Sequence, residues 1–216
     1  MTIYQTIAQA LAEGDQVKVE QSVTQALADG CQAKAILDEG LMGGMEIIGG
    51  LMEREEILIP EVIGAAEIMA DVIEKKLKSN LMDEDMNPYG KAVFATVRGD
   101  IHDIGKNLVI MMLESAGFEL IDLGVDVAED RIVDAVKEHK PKLLCLSALL
   151  TTTMPMIETT IQATAESGIR DRVKILIGGA PLDEAFAREV GADGYALDAS
   201  HAIKVAKDLV MASEAD

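Results

Sequence analysis

Residues 92–107 read Ala92-Val93-Phe94-Ala95-Thr96-Val97-Arg98-Gly99-Asp100-Ile101-His102-Asp103-Ile104-Gly105-Lys106-Asn107. The six residues Ala92–Val97 form an apolar run and predict a buried strand. Leu108 to Ala116 is again rich in apolar residues and predicts a helix. The loop between them sets an imidazole at the carboxyl end of a strand, where open α/β sheets bind their ligands. Asp100 stands two residues before His102, within reach of one ring nitrogen, which leaves the other free for a metal. The loop therefore points to a metal-centred group.

Downstream, strand and helix patterns alternate. Strands are predicted at 92–97, 119–123, 143–149, 174–177 and 194–197, and helices at 106–116, 129–139, 154–168, 183–190 and 199–211. Five strands alternating with helices predict a parallel, doubly wound α/β sheet of flavodoxin-like (Rossmann-like) order. Upstream, residues 1 to about 80 read as helix. Ile3, Ile7 and Leu11 keep helical spacing, and Gly14-Asp15 breaks the helix and caps the next. Val19, Val23 and Leu27 follow, ending at Gly30. Ala33 to Leu41 and Met42 to Met52 predict two further segments, and Pro60 fits the first turn of a fifth that runs to about Leu77. Short turns between antiparallel helices predict a bundle. Residues 82–90 lose all periodicity and read as a linker, dividing the chain into a helical domain at 1–88 and an α/β domain at 89–216.

Composition narrows the functional classes. The formal net charge of −19 repels nucleic-acid backbones and anionic membrane surfaces. Aromatics make up 3% of the chain and Trp is absent, which leaves no stacking platform for single-stranded nucleic acid. Cys31 and Cys145 lack a CxxC partner, so neither a zinc site nor a disulfide framework is indicated. No apolar run reaches ~20 residues and no signal-like N-terminus is apparent, so a cytoplasmic protein without nucleic-acid or membrane partners is expected.

Two more loops follow predicted strands that are neighbours of the first in a flavodoxin-like order. One carries Ser147-Ala148-Leu149 and then Thr151-Thr152-Thr153. The other carries Gly178-Gly179-Ala180. Taken singly, these residues are ordinary caps and strand-end turns, and Asp100 with Asp103 is equally a magnesium or phosphoacceptor pair. Their combination is more specific. Asp-x-His-x-x-Gly, followed after 41 residues by Ser-x-Leu and after 28 more by Gly-Gly, resembles the signature of cobalamin-binding domains. Such domains occur in methionine synthase, methyl-corrinoid proteins and carbon-skeleton mutases. The N-terminal half adds Leu41-Met42-Gly43-Gly44-Met45 through Leu51-Met52, Ile59-Pro60-Glu61-Val62 and Ala65-Ala66. These are similar to the helical cap of methionine synthase and methyl-corrinoid proteins.

The resemblance implies roles for named residues. The cofactor would be cobalamin, as methylcobalamin or cob(I)alamin, bound base-off with its nucleotide tail in a slot of the α/β domain. His102 would be the lower ligand of cobalt. Asp100 would hold its other nitrogen, and Thr153, where the family often has Ser, would hydrogen-bond Asp100. Gly99, Asp103, Ile104 and Gly105 would complete the first loop's contacts. Ser147, Leu149 and Thr151 would line the slot, Gly178, Gly179 and Ala180 would admit the tail, and Tyr195 and Asp198 would close its end. Met52, Ile59 and Val62 would cover the methyl-bearing face, Met52 standing where the family often has Phe.

The implied function is a corrinoid methyl carrier with little turnover alone. Its partners would be a donor-specific corrinoid methyltransferase and an acceptor methyltransferase of the tetrahydrofolate or coenzyme M type, with a reductive activase as a further candidate. Methanol, methylamines and aromatic methyl ethers are equally open as donors, the last through O-demethylation. The cobalamin-binding subunit of a radical mutase and a cobalamin-sensing regulator are the alternatives. The methyl-type cap disfavours the first, and the acidity without a basic recognition helix disfavours the second.

Overall fold

The computed structural model describes residues 1–81 and 87–212. Most of the linker expected at 82–90 therefore lies outside the described residues. The chain divides into two compact units: one holds Met1–Pro88 with Ser115–Gly117, the other Tyr89–Glu114 with Phe118–Asp216.

The first unit is helical: α1 (Ile3–Ala12), α2 (Gln16–Ala28), α3 (Ala33–Ala35), α4 (Gly43–Glu53) and α5 (Ile59–Val72). Thr2 caps α1 and Asp15 caps α2, its carboxylate accepting the Lys18 N–H at 3.0 Å. Pro60 sits in the first turn of α5, where its missing N–H costs nothing. The Glu61 carboxylate there accepts the Leu58 N–H at 2.8 Å. A π-helical stretch, Ile36–Met42, joins α3 to α4, so the two segments expected to meet at Leu41 and Met42 form one continuous helix. The Gly43-Gly44 pair that suggests a break serves close packing instead. A Cβ at Gly44 would lie 2.9 Å from Leu11 Cδ2 and 3.0 Å from the Ala8 carbonyl oxygen of α1. Ile7, Leu11, Val19, Val23, Ile36, Leu41, Ile48, Val62 and Val72 form the bundle's core.

The second unit alternates β1 (Gly90–Thr96), α6 (Ile104–Ser115), β2 (Phe118–Asp122), α7 (Glu129–His139), β3 (Leu143–Ser147), α8 (Met154–Glu166), β4 (Lys174–Gly178), α9 (Glu184–Val190), β5 (Gly194–Ala196) and α10 (Ala199–Ala212). All strands are parallel, in the order β2-β1-β3-β4-β5, as the flavodoxin-like expectation requires. The period of two sorts each strand between two cores. Val93, Ala95, Leu144, Leu146, Ile175 and Ile177 pack under α7, α8 and α9. Ala92, Phe94, Leu143, Cys145, Leu176 and Ala196 pack under α6 and α10.

The register positions the loops. Thr96 pairs with Ser147, Ser147 with Gly178, and Gly178 with Ala196. One row thus crosses the carboxyl edge of four strands. Strands three and five stop at this row, two residues and one residue earlier than their apolar runs suggest, which frees Leu149 and Leu197 for the loops.

Candidate functional site

Asp100 organises the edge. Its side chain is fully buried, yet every neighbour that meets it is a donor. Oδ1 accepts the His102 N–H at 3.1 Å and lies 2.7 Å from His102 Nδ1. Oδ2 accepts the Leu149 N–H and the Thr153 hydroxyl, both at 2.7 Å. Burial alone would raise the Asp100 pKa. The bonds from Leu149, Thr153 and His102 outweigh burial and hold it well below the usual carboxylate range. Asp100 is therefore an anion that only accepts, so Nδ1 carries a ring proton, and in the neutral imidazole Nε2 is the nitrogen with the lone pair. The imidazole is 45% exposed, and Nε2 has no hydrogen-bond partner among the described residues. The Thr96 hydroxyl pins the loop by donating to the His102 carbonyl at 3.0 Å.

A cavity of about 290 Å³ opens beside this ring. His102, Gly105, Ser147, Leu149, Gly178, Gly179, Ala180 and Asp198 line it, all from the expected set. Its apolar wall also includes Phe94, Leu108, Val109, Cys145, Leu176 and Ala202. Gly105, Leu108 and Val109 are one face of α6 at i, i+3, i+4, a spacing legible in the sequence. Phe94, Cys145 and Leu176 share the sheet face that α6 and α10 cover, and the cavity is where that covering stops short of the edge. Gly179, at φ 139°, has no room for a side chain, since a Cβ would lie 1.9 Å from the Ala148 carbonyl oxygen. Asp198 caps α10 by accepting the His201 N–H at 2.8 Å.

Other expected residues stand elsewhere. Asp100 and Thr153 lie behind the imidazole rather than in the cavity wall, Gly99, Asp103 and Thr151 are exposed on the edge loops, and Ile104 is exposed at the start of α6. Tyr195 packs against the opposite core, where burial and the Asp183, Asp198 and Glu184 carboxylates raise its pKa. In the helical unit, Ile59 is exposed, Met52 half-buried and Val62 buried in the bundle.

Lys106 is a site residue that the motif reading passed over. It lines the cavity, its side chain is 2% exposed, and Nζ reaches Asp122 Oδ2 at 2.6 Å and Asn107 Oδ1 at 2.8 Å. A buried ammonium needs such partners. The sequence signal was its place on an otherwise apolar helix face.

Among the described residues, no group of three or more His, Cys, Asp or Glu could hold a bare metal ion. A lone imidazole suits a metal that brings its remaining ligands with it. The edge is also unusually apolar: Ile101, Leu149, Leu150 and Leu197 are exposed on its loops and Ile104 at the start of α6, side chains suited to a broad flat partner. A single imidazole with a fixed tautomer, an apolar slot beside it and an apolar rim together fit a metal macrocycle with a tail. No helix among the described residues is long and apolar enough to cross a membrane.

Comparison with known proteins agrees. A family model described as a B12 binding domain matches residues 90–204, and a second of the same description matches residues 3–75. The chain is 44% identical over 177 residues to dimethylamine corrinoid protein 1 of Methanosarcina acetivorans, spanning 81% of this chain and 82% of the relative. A cobalamin-binding protein from Desulfitobacterium hafniense superposes with a TM-score of 0.84 at 33% identity, over 97% of this chain and 98% of that one. A chain of the methanol:cobalamin methyltransferase complex from Methanosarcina barkeri superposes with a TM-score of 0.81 at 30% identity, over 97% and 80%.

Proposed function

Since this chain belongs to the corrinoid proteins built on B12 binding domains, we propose that it carries methyl groups on bound cobalamin between partner methyltransferases, with His102 as the lower ligand of cobalt. Bound cobalamin supplies the metal that takes up and releases the methyl group. The protein's residues hold, orient and shield it. The single observation that carries the ligand assignment is the 2.7 Å contact between His102 Nδ1 and Asp100, which leaves Nε2 as a lone-pair donor beside an apolar slot.

Each neighbour has a share in that task. Asp100 fixes the tautomer and strengthens Nε2 as a donor. Thr153 holds Asp100 in place. The slot between α6 and the sheet would take the nucleotide tail, held by Ser147, Gly178 and Gly179. The exposed Ile101, Ile104, Leu149, Leu150 and Leu197 would give the corrin ring apolar contact. In the helical unit, Met52, Ile59 and Val62 are the residues that would shield the bound methyl group, the role that the likeness to corrinoid cap domains implies.

One relative named above is a dimethylamine corrinoid protein and another belongs to a methanol:cobalamin methyltransferase complex, so donor choice is assigned to the partner methyltransferase. An acceptor methyltransferase of the tetrahydrofolate or coenzyme M type and a reductive activase complete the proposed set, in the cytoplasm. The test is reconstitution with hydroxocobalamin. The protein should leave gel filtration coloured with a histidine-ligated spectrum, and His102→Ala should keep colour but lose that spectrum. An unaltered spectrum in the variant would refute the ligand assignment, and colourless wild-type protein would refute the function.

A further inference from the structure

The loop Leu123–Val127, between β2 and α7, contributes nothing to the cavity wall, yet it grips the segment that bears His102. Asp126 makes two of these contacts. Its side-chain Oδ1 accepts the Gly99 N–H at 2.7 Å, and its backbone N–H donates to the Asp100 carbonyl at 2.8 Å. The Gly99-Asp100 dipeptide is thus bracketed from outside by one residue. Its remaining amide is tied inward, Asp100 N–H donating to the Val97 carbonyl at 3.1 Å.

Asp126 manages both contacts because its backbone is left-handed, at φ 52°. Most L residues resist that conformation, whereas Asp and Asn tolerate it and Gly adopts it freely. Its neighbours anchor the same loop to β1. Val127 N–H donates to the Thr96 carbonyl at 3.1 Å, and the Gly124 carbonyl accepts the Thr96 N–H at 3.0 Å. The far end is held by Asp122, whose Oδ1 accepts the Gly124 N–H at 2.9 Å while Oδ2 takes the buried Lys106 ammonium. A non-Gly residue in the left-handed region, beside a buried carboxylate that fixes a ligand ring, is strain placed where a site needs rigidity.

We propose that Asp126 is a positioning residue for His102: by clamping the Gly99-Asp100 backbone it sets where the Asp100 carboxylate stands, and so the tautomer and aim of the imidazole. This rests on the assignment of His102 as cobalt's lower ligand, and it concerns a residue that touches neither cofactor nor ring.

Three substitutions separate side chain from backbone. Asp126→Asn keeps both the acceptor oxygen and the left-handed backbone. Asp126→Gly keeps only the backbone. Asp126→Ala loses the acceptor and adds strain, so Asp126→Gly carries the test if Asp126→Ala folds poorly. In the cofactor-free full chain, Asp126→Gly should speed Gly99 amide hydrogen exchange about tenfold, the ratio expected for one charge-assisted hydrogen bond. The His102 ring 15N shifts should move from a single Nδ1–H form towards a mixture of tautomers. After reconstitution with hydroxocobalamin, a smaller fraction of bound cobalamin should show the histidine-ligated spectrum. Asp126→Asn should restore wild-type behaviour in all three.

A wild-type ring tautomer and a wild-type histidine-ligated fraction in Asp126→Gly would overturn the proposal, even with faster exchange, because the contact would then be structural only. Wild-type protein that binds cobalamin without histidine ligation would overturn the ligand assignment instead. The ring shifts of the cofactor-free protein would still decide the clamp.

Discussion

Asp100→Asn puts the central contact under strain without changing its shape. Four donors converge on the two oxygens of Asp100, and an amide keeps only one of those oxygens. Were the new NH2 to face Leu149, it would meet a backbone N–H at 2.7 Å and leave it without an acceptor. Were it to face His102, it would lose the longest of the four contacts, the 3.1 Å bond from the His102 backbone N–H. In that second orientation the amide donates to Nδ1, which must become an acceptor, so the ring proton moves to Nε2. This is the less costly arrangement. One hydrogen bond is lost, at about 1 kcal/mol, two exchange a charged acceptor for a neutral one, and the contact to Nδ1 reverses direction, for a total of about 2–4 kcal/mol. Urea denaturation of the cofactor-free protein reads that loss, and 15N spectra of the imidazole read the tautomer. The variant should bind hydroxocobalamin with a weakened or absent histidine-ligated spectrum, since Nε2 now bears a proton. A destabilisation below about 0.5 kcal/mol, with Nδ1 still protonated and the spectrum unchanged, would refute the reasoning.

The same carboxylate gives a pH prediction. Its pKa is depressed in the folded state, so its contribution is complete above the unfolded value of about 4 and disappears as pH falls through the folded one. The stability gap between wild type and Asp100→Asn, followed by urea midpoints from pH 7 downward, should therefore narrow only below about pH 4. Gly179→Ala should cost more than about 3 kcal/mol, because its Cβ would lie 1.9 Å from a backbone oxygen at a φ of 139° and the β4 loop would have to move. Its cobalamin retention on gel filtration should fall with it, and wild-type retention would mean that the loop is more tolerant than its packing implies. In the helical unit, Gly44→Ala should lower stability by about 1–3 kcal/mol through overpacking against Leu11 and Ala8, measured by thermal melting of the full chain.

Much of this architecture was legible because strand and loop alternate cleanly in the α/β half. The apolar run at 92–97 reads as a strand, and the polar loop after it reads as a site, for the same reason: a parallel sheet buries its strands and exposes their carboxyl ends. The cavity wall was harder. Phe94, Cys145 and Leu176 have the residue types of a core, and nothing in a linear pattern shows that α6 and α10 leave their upper ends uncovered. Tyr195 illustrates the sensitivity of a strand to register. One position decides the face, and it is Ala196 that lines the cavity while Tyr195 joins the other core. The π-helical stretch was hidden because Gly43-Gly44 has the composition of a break, and only the approach of α1 reveals its use. Asp126 was invisible for a similar reason: its partners are backbone groups 26 and 27 residues away in sequence, and backbone groups leave no trace in composition.

Cys145 gives the cavity a chemical gauge. Its sulfur belongs to the wall but is almost wholly shielded, and burial pushes its thiol pKa upward, so charged alkylating reagents should pass it by. A small neutral organomercurial has no such handicap when the chamber is vacant, and would be fenced out by a seated nucleotide tail. The rate of mercuration would then count empty molecules in a mixed preparation.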